Sequence, residues 1–535
     1  MDQDLRSISD ARNCALRARS AYEAYRASDQ VDVDRITHAV VEAGYAAAES
    51  LARMAVEETG IGKVDSKTVK NRFATRGLWE AIRDMRTCGV VREDAETGVT
   101  EIADPFGVVA AIIPTTNPTS TALFKAICCL KSRNAMVASP HPRAAASIRE
   151  SIRVCQDAAE SAGAPKDLLL CMEDVALEGT QALMVDPNVD LILATGGGGL
   201  VRAAYSSGKP AFGVGPGNVP AYVDRSADVG WAARCLVESQ SFDNSTLCSS
   251  EQAIVCDRPV AEALLESMRG LEAHVCSPSE TAALERLVMQ DGKKNSDIVG
   301  MDAVDIARLA GFEVPPQTPV IVAPYEGVGK AHPLSRETLC PLLAFYVVDG
   351  WEAGCHLCLE VLDQGGRGHT LGLHCEDEGV IRRFALEKPV NRLVVNSPTS
   401  IGAVGFTTRL FPSLTLGCGS FGGNITSDNV GPQHLLNIKR LARVRQEWRD
   451  GTAGTTYDHL PPIGADAAGT GVQSPWDAPH RPNPGRATGD HRNPAAVSRV
   501  DSPASAGVSE GTLPGENFSR ADIERIIRNA LRNRT

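Results

Sequence analysis

The chain has 535 residues, 43% of them hydrophobic, and a formal charge of −12, which is enough apolar content for full cores in two or three domains. The acidic surplus excludes a broad nucleic-acid face, since phosphate contacts need clustered Lys and Arg. No run of about 18 uninterrupted apolar residues offers a spanning helix, and the charged, alanine-rich first segment does not read as a signal peptide. The expectation is a cytoplasmic protein, without membrane or nucleic-acid partners, whose 15 thiols are mostly reduced.

Ile36, Ala39, Val40, Ala43 and Ala47 recur at three- and four-residue steps, and the same pattern predicts helices from 2 to about 85. A β-prone stretch at 97–104 precedes the continuous apolar run 106–114, the signature of a strand buried on both faces. Next come a predicted helix at 121–131, a strand at 135–138, a helix at 145–161, a helical segment at 178–184 and a strand at 191–194. Strands alternating with helices predict an α/β fold with parallel sheets covered on both sides.

The strand at 191–194 opens onto Thr195-Gly196-Gly197-Gly198-Gly199. Glycines at a strand-to-helix turn let backbone approach a phosphate, while the helix start offers free N–H groups. The spacing is not Gly-x-Gly-x-x-Gly, and a tight turn without a ligand fits the same residues. A second cluster, Gly213-Val214-Gly215-Pro216-Gly217-Asn218, precedes a strand at 221–223.

Cys248 then stands among small polar residues in Ser241-Phe242-Asp243-Asn244-Ser245-Thr246-Leu247-Cys248-Ser249-Ser250-Glu251-Gln252, just before an apolar run. A loop thiol can reach a substrate, and backbone N–H groups can hold it as thiolate, which makes Cys248 a candidate nucleophile. The competing reading is a cysteine acting as a small buried hydrophobe. Further elements are helices at 260–271, 282–290 and 354–362 and strands at 320–323 and 344–348, with His369 expected at a turn. Cys355 and Cys358 lack a second pair at zinc-site spacing, so no metal is expected.

From 451 to 515 Pro, Gly, Ala, Asp and Thr dominate, a composition too poor in large apolar residues to fold. Over 516–535, Ile523, Ile526, Ile527, Ala530 and Leu531 share one face of a predicted helix, with Arg525, Arg528, Arg532 and Arg534 on its polar side.

Several of these pieces occur jointly and in order: Pro114-Thr115-Thr116-Asn117-Pro118, Ser139-Pro140-His141-Pro142-Arg143, Thr195-Gly196-Gly197, the 213–218 cluster, the Cys248 loop, and Glu337 followed by Cys340-Pro341. Over about 34–449 the chain resembles the aldehyde dehydrogenase superfamily, and more closely its CoA-acylating branch. The resemblance implies a Rossmann-like cofactor domain with its helical lead-in over 1–217, a catalytic domain over 218–420, and a return and oligomerisation segment over 421–450 in a homo-oligomer. Cys248 would attack a small aldehyde, and hydride transfer to NAD+, or alternatively NADP+, would leave a thioester. Asn117 and the Cys248 backbone N–H would hold the oxyanion, and Glu337 would contact the nicotinamide ribose. Thr115, Ser139, His141, Thr195, Gly196, Gly197 and Gly215 would line the cofactor site.

Two departures matter. Where hydrolytic members carry a glutamate this chain has Val214-Gly215-Pro216, so CoA is the expected acyl acceptor; a hydrolytic enzyme and a non-catalytic scaffold are the rivals. Ser139-Pro140-His141 stands where many relatives place a lysine on the adenosine ribose. His369, in His369-Thr370-Leu371-Gly372-Leu373-His374, would assist thiol transfer or serve the structure. The linker and tail resemble an encapsulation peptide that binds a shell protein, which would place the enzyme in the lumen of a bacterial microcompartment with propionaldehyde or acetaldehyde as substrate; docking of the tail on its own enzyme is the alternative.

Overall fold

A computed structural model describes residues 2–290 and 292–450; the expected linker and targeting helix lie outside the described residues. Four helices lead in: α1 (Gln3–Tyr25), α2 (Gln30–Ala46), α3 (Ala48–Thr59) and α4 (Val64–Arg72). In α1 the buried residues Ala11, Ala15, Ala18, Tyr22 and Tyr25 fall at helical spacing and give one face to the core. Asp29 caps α2 by accepting from the Asp32 N–H at 2.9 Å.

The β-prone stretch at 97–104 forms the strand β2 (Val99–Pro105), which pairs antiparallel with a strand the sequence did not announce, β1 (Gly89–Asp94). The first strand escaped the sequence reading because it is mostly exposed and carries Arg92, Glu93 and Asp94, leaving no buried alternation to detect.

Five parallel strands follow: β3 (Val108–Ile113), β4 (Ala135–Pro140), β5 (Leu169–Cys171), β6 (Leu191–Thr195) and β7 (Ala211–Val214), in the order β5-β4-β3-β6-β7. Central β3 is buried at every position, and each of its Val and Ile side chains stabilises the sheet by about 1.5–3 kcal/mol. The helix α5 (Pro118–Lys131) starts with proline at its first turn and is buried at all 14 positions, because it lies between this sheet and the lead-in helices.

The second sheet has seven parallel strands: β8 (Val219–Val223), β9 (Glu251–Asp257), β10 (His274–Val275), β11 (Ile321–Pro324), β12 (Leu342–Val348), β13 (Gly368–His374) and β14 (Val390–Val395). Their order is β10-β11-β12-β9-β8-β13-β14. His369 therefore opens a strand, not a turn: the glycines at 366 and 368 mimic turn composition, but Gly368 already pairs with Val390. Finally β15 (Leu436–Ala442) returns to pair antiparallel with β2. Among the described residues no helix is long and apolar enough to cross a membrane.

The two large sheets meet in a way that positions the site. The chain leaves the carboxyl end of β7 and enters the amino end of β8 within 214–219. The cleft thus has the carboxyl ends of β3, β4, β6 and β7 on one wall, the usual ligand edge of an open parallel sheet. The segments entering β9 and β12, together with Val404, Leu414 and Leu416, form the other.

Candidate active site

The helix α6 (Val229–Ser241) is capped by Asp228, which accepts from the Trp231 N–H at 2.9 Å. Directly after it, Asp243, Asn244 and Ser245 all adopt left-handed backbone, with φ of 49°, 52° and 61°. Such non-glycine residues cost on the order of 1–3 kcal/mol each and persist only where their surroundings over-determine them. The surroundings here are specific. Asp243 accepts from the Lys63 N–H at 2.8 Å, from Lys67 Nζ at 3.0 Å, from Thr246 Oγ1 at 2.6 Å and from Lys70 Nζ. The Asn244 amide donates to Gly300 O at 2.9 Å, and Ser245 Oγ donates to Gln240 Oε1 at 2.9 Å. The small polar residues that read as a solvated loop are thus buried anchors.

They deliver Cys248 to a partly exposed position where its Sγ lies 3.1 Å from His369 Nε2. The other ring nitrogen, Nδ1, lies 2.9 Å from Thr370 Oγ1. Gly217 passes so close that a Cβ there would sit 2.1 Å from Cys248 O and 3.1 Å from His369 Cγ, so only glycine permits the approach.

A cleft of about 400 Å³ runs from this thiol along the first sheet. It brings together Thr115, Asn117, Ser139, His141, Thr195, Gly196, Gly197, Gly215, Cys248 and Glu337. His369 is fully buried behind the thiol instead of on the wall. Ser139 Oγ is engaged with Thr180 Oγ1 at 2.8 Å, and His141 Nδ1 accepts from the Arg143 N–H at 3.1 Å. Glu337 Oε1 accepts from the Gly217 N–H at 3.0 Å.

This wall fits a dinucleotide. The hydroxyls of Thr115 and Thr195 are buried without a protein partner, an unpaired state that a ligand would relieve. Gly197 caps the helix α7 (Gly198–Tyr205), and a Cβ on it would meet nothing within 4 Å, so the first N–H groups are open to an anionic group.

The electrostatics correct one expectation. Burial, reinforced by Glu337 and Cys418, pushes the Cys248 thiol up to about 12, with Arg392 and the backbone N–H pulling the other way. Burial and the nearby Arg392 push His369 down to about 3. At neutral pH the resting pair is thiol and neutral imidazole, so the backbone N–H alone does not hold a thiolate.

Several neighbours carried no signal in the sequence. Buried Arg392 donates to Gly417 O at 2.6 Å, Gly368 O at 3.3 Å, Ser427 O at 3.2 Å, Asn429 Oδ1 at 3.3 Å and, through Nε, Thr370 Oγ1 at 3.4 Å. Lys70 donates to Asn117 Oδ1 at 2.5 Å, and the Asn117 amide donates to Thr246 O at 3.0 Å and Thr116 Oγ1 at 3.2 Å. Lys67 and Lys70 lie three residues apart on a charged helix, a pattern that ordinarily means a solvated face.

The sequence profile described as "Aldehyde dehydrogenase family" matches residues 5–275. A bifunctional aldehyde-alcohol dehydrogenase of Escherichia coli is 41% identical over 432 residues, covering 80% of this chain and 48% of its own length. The chain thus spans about half the length of that relative. Among solved structures, an acetylating aldehyde dehydrogenase from Geobacillus thermoglucosidasius is 46% identical with a TM-score of 0.82, covering 83% of this chain and 99% of that one. A Rhodopseudomonas palustris propionaldehyde dehydrogenase with bound CoA and an acylated cysteine is 27% identical with a TM-score of 0.73, covering 81% and 97%. With half of its length matched by the family profile and a 46%-identical structure covered end to end, the chain belongs to the aldehyde dehydrogenase family.

Proposed function

We propose that the protein oxidises a small aldehyde with NAD+ and transfers the acyl group to CoA. Cys248 Sγ adds to the aldehyde carbon and its proton leaves by way of His369 Nε2, 3.1 Å away, to solvent as the proton the reaction releases, so the imidazole is neutral again before the second half. The oxygen of the thiohemiacetal takes its hydrogen bonds from the Asn117 amide and the Cys248 N–H. A bound nicotinamide would supply the hydride acceptor, and loss of hydride from the thiohemiacetal would leave a thioester on Cys248. Thr115, Thr195 and the N–H groups after Gly197 would hold the dinucleotide, Ser139 and His141 would lie near its adenosine end, and Glu337 would face its ribose.

The second half exchanges one thiol for another. As CoA sulfur attacks the thioester, its proton passes through His369 to Cys248, the departing thiolate. A neutral imidazole suits such a relay, because it takes the proton only in passing and never has to rest as a cation.

The observation that carries the acylating reading is the bare wall at Val214-Gly215-Pro216, where no carboxylate is available to activate water. The acetylating relative and the CoA-bound neighbour support it. Glu337 on the opposite wall is what favours the rival, hydrolytic reading. The test is NADH formation from propionaldehyde and NAD+, with and without CoA, with the product followed by mass. Propionyl-CoA formed only with CoA, and abolished in Cys248→Ala, is the expected result; free propionate at an equal rate without CoA would overturn it.

The tail extends the proposal. The helical spacing of Ile523, Ile526, Ile527, Ala530 and Leu531 in the sequence would suit a shell protein of a microcompartment, which would confine the aldehyde. Removal of residues 516–535 is expected to leave turnover intact and abolish co-purification with shell; unchanged co-purification would sink this assignment.

A further inference from the structure

The proposed chemistry leaves one buried charged cluster unused: Lys67 and Lys70 on α4, and Asp243 in the segment that leads to the thiol. All three are closed to solvent, at 2%, 4% and 0% exposure. Lys67 Nζ donates to Asp243 Oδ2 and to Thr116 O, both at 3.0 Å. Lys70 Nζ donates to the same Oδ2, to Asn117 Oδ1 at 2.5 Å and to Thr246 Oγ1 at 3.4 Å. Two lysines against one carboxylate is an arrangement that desolvation penalises. Burial correspondingly pulls Lys70 below the ordinary lysine range. The cluster is nonetheless kept, and it ends on the side-chain oxygen of Asn117.

Asp243 opposes that shift in Lys70 and favours the ammonium form, which has only donors and so can face only the oxygen of an amide. The contact therefore decides between two nearly isosteric flips of Asn117. With Oδ1 on Lys70, the amide N–H pair is turned toward Thr246 O at 3.0 Å, two residues before the thiol, and Thr116 Oγ1 at 3.2 Å. A charged donor on the amide oxygen also polarises the group and makes its N–H a stronger donor. Asp243 meanwhile binds Thr246 Oγ1 and the Lys63 N–H, so one carboxylate sets both the lysine and the start of the thiol segment.

We propose that Lys70, anchored by Asp243, is a positioning residue for the aldehyde step: it fixes Asn117 with its amide nitrogen on the side of the Cys248 segment, so that one N–H can exchange its longer contact to Thr116 Oγ1 for the thiohemiacetal oxygen on Cys248, and it strengthens that donation. The inference rests on Asn117 as an oxyanion donor.

The test is a double-mutant cycle in the full-length protein, using NADH formation from propionaldehyde, with Lys70→Met, Asn117→Ala and the pair. Lys67 still neutralises Asp243 in Lys70→Met, and thermal unfolding reports whether the fold survives; should it not, Lys70→Gln, which keeps a donor without charge, enters the same cycle. A lost contact to an oxyanion donor is expected to lower kcat by about 10- to 100-fold, with KM for NAD+ unchanged. The double variant should then be no slower than Asn117→Ala alone. An equal loss from the lysine change in both backgrounds would overturn the inference and leave the Asn117 reading standing. An unchanged kcat in Asn117→Ala would overturn that reading and the inference with it.

Discussion

Two buried cation sites flank Cys248, and they are held in different ways. On one side Lys67 and Lys70 share the carboxylate of Asp243. On the other Arg392 donates to three backbone carbonyls, an asparagine oxygen and a threonine hydroxyl, with no carboxylate at ion-pair distance among the described residues. The first site carries a carboxylate within its own network, so its role is to hold parts in place, and that single carboxylate, shared by two lysines, is its weak point. The second keeps an uncompensated field beside the thiol and His369, and it is held by neutral acceptors of the 368–370 and 417–429 segments, three of them backbone carbonyls. One side of the site is organised by a charge pair and the other is tuned by a charge.

Breaking the paired side should have the larger effect. Asp243→Asn removes the only carboxylate that pairs with the two buried lysines among the described residues, and breaking a buried pair in this way costs about 3–5 kcal/mol. Burial alone would raise the Asp243 carboxyl, but Lys67 and Lys70 outweigh it and hold it below the usual range. Its stabilising contribution is therefore present above the unfolded carboxyl pKa and is lost as pH falls through the lower folded value. A large drop in the thermal unfolding temperature at neutral pH is expected; an unchanged one would show that the network does not hold the segment before Cys248.

The carbonyl-held side should respond more gently. The thiol sits at about 12, so alkylation of Cys248 by iodoacetamide, read on its peptide by mass spectrometry, should rise about tenfold per pH unit with no plateau below pH 10. With His369 near 3, the profile should have no inflection between pH 5 and 8. Arg392→Gln removes a positive charge that favours the thiolate and should slow alkylation at every pH by about three- to tenfold, the equivalent of up to one pKa unit. An inflection near pH 6 in the parent protein would instead mean that His369 titrates as an exposed imidazole.

The same contrast explains what the sequence made legible. The buried strands β3, β4 and β6 announce themselves as apolar runs, and the motif residues on the cleft wall lie beside them at strand ends. Cys248 stands out because its neighbours are small and polar. The charges that serve it do not: Lys67 finds Asp243 across 176 positions of sequence, and a lysine in a charged helix looks solvated until the fold closes over it. Arg392 lies within β14, where nothing local distinguishes a buried guanidinium from one at the edge. The left-handed run at 243–245 was equally hidden, since Asp, Asn and Ser are ordinary loop residues and only their burial reveals why they are there.

The distribution of thiols bears on how a protein full of cysteine would survive the aldehyde proposed as its substrate. Twelve of its 15 cysteines are buried and three, Cys88, Cys171 and Cys248, are partly exposed, and burial raises the pKa of Cys88 and Cys171 as it does that of Cys248. Cys248 is thus not singled out by acidity. An electrophilic aldehyde finds no ready thiolate at any of these three sites, and what distinguishes Cys248 is its address: an imidazole at 3.1 Å and an open cleft in front of it. Selectivity against self-modification comes from withholding reactivity everywhere and releasing it at one place.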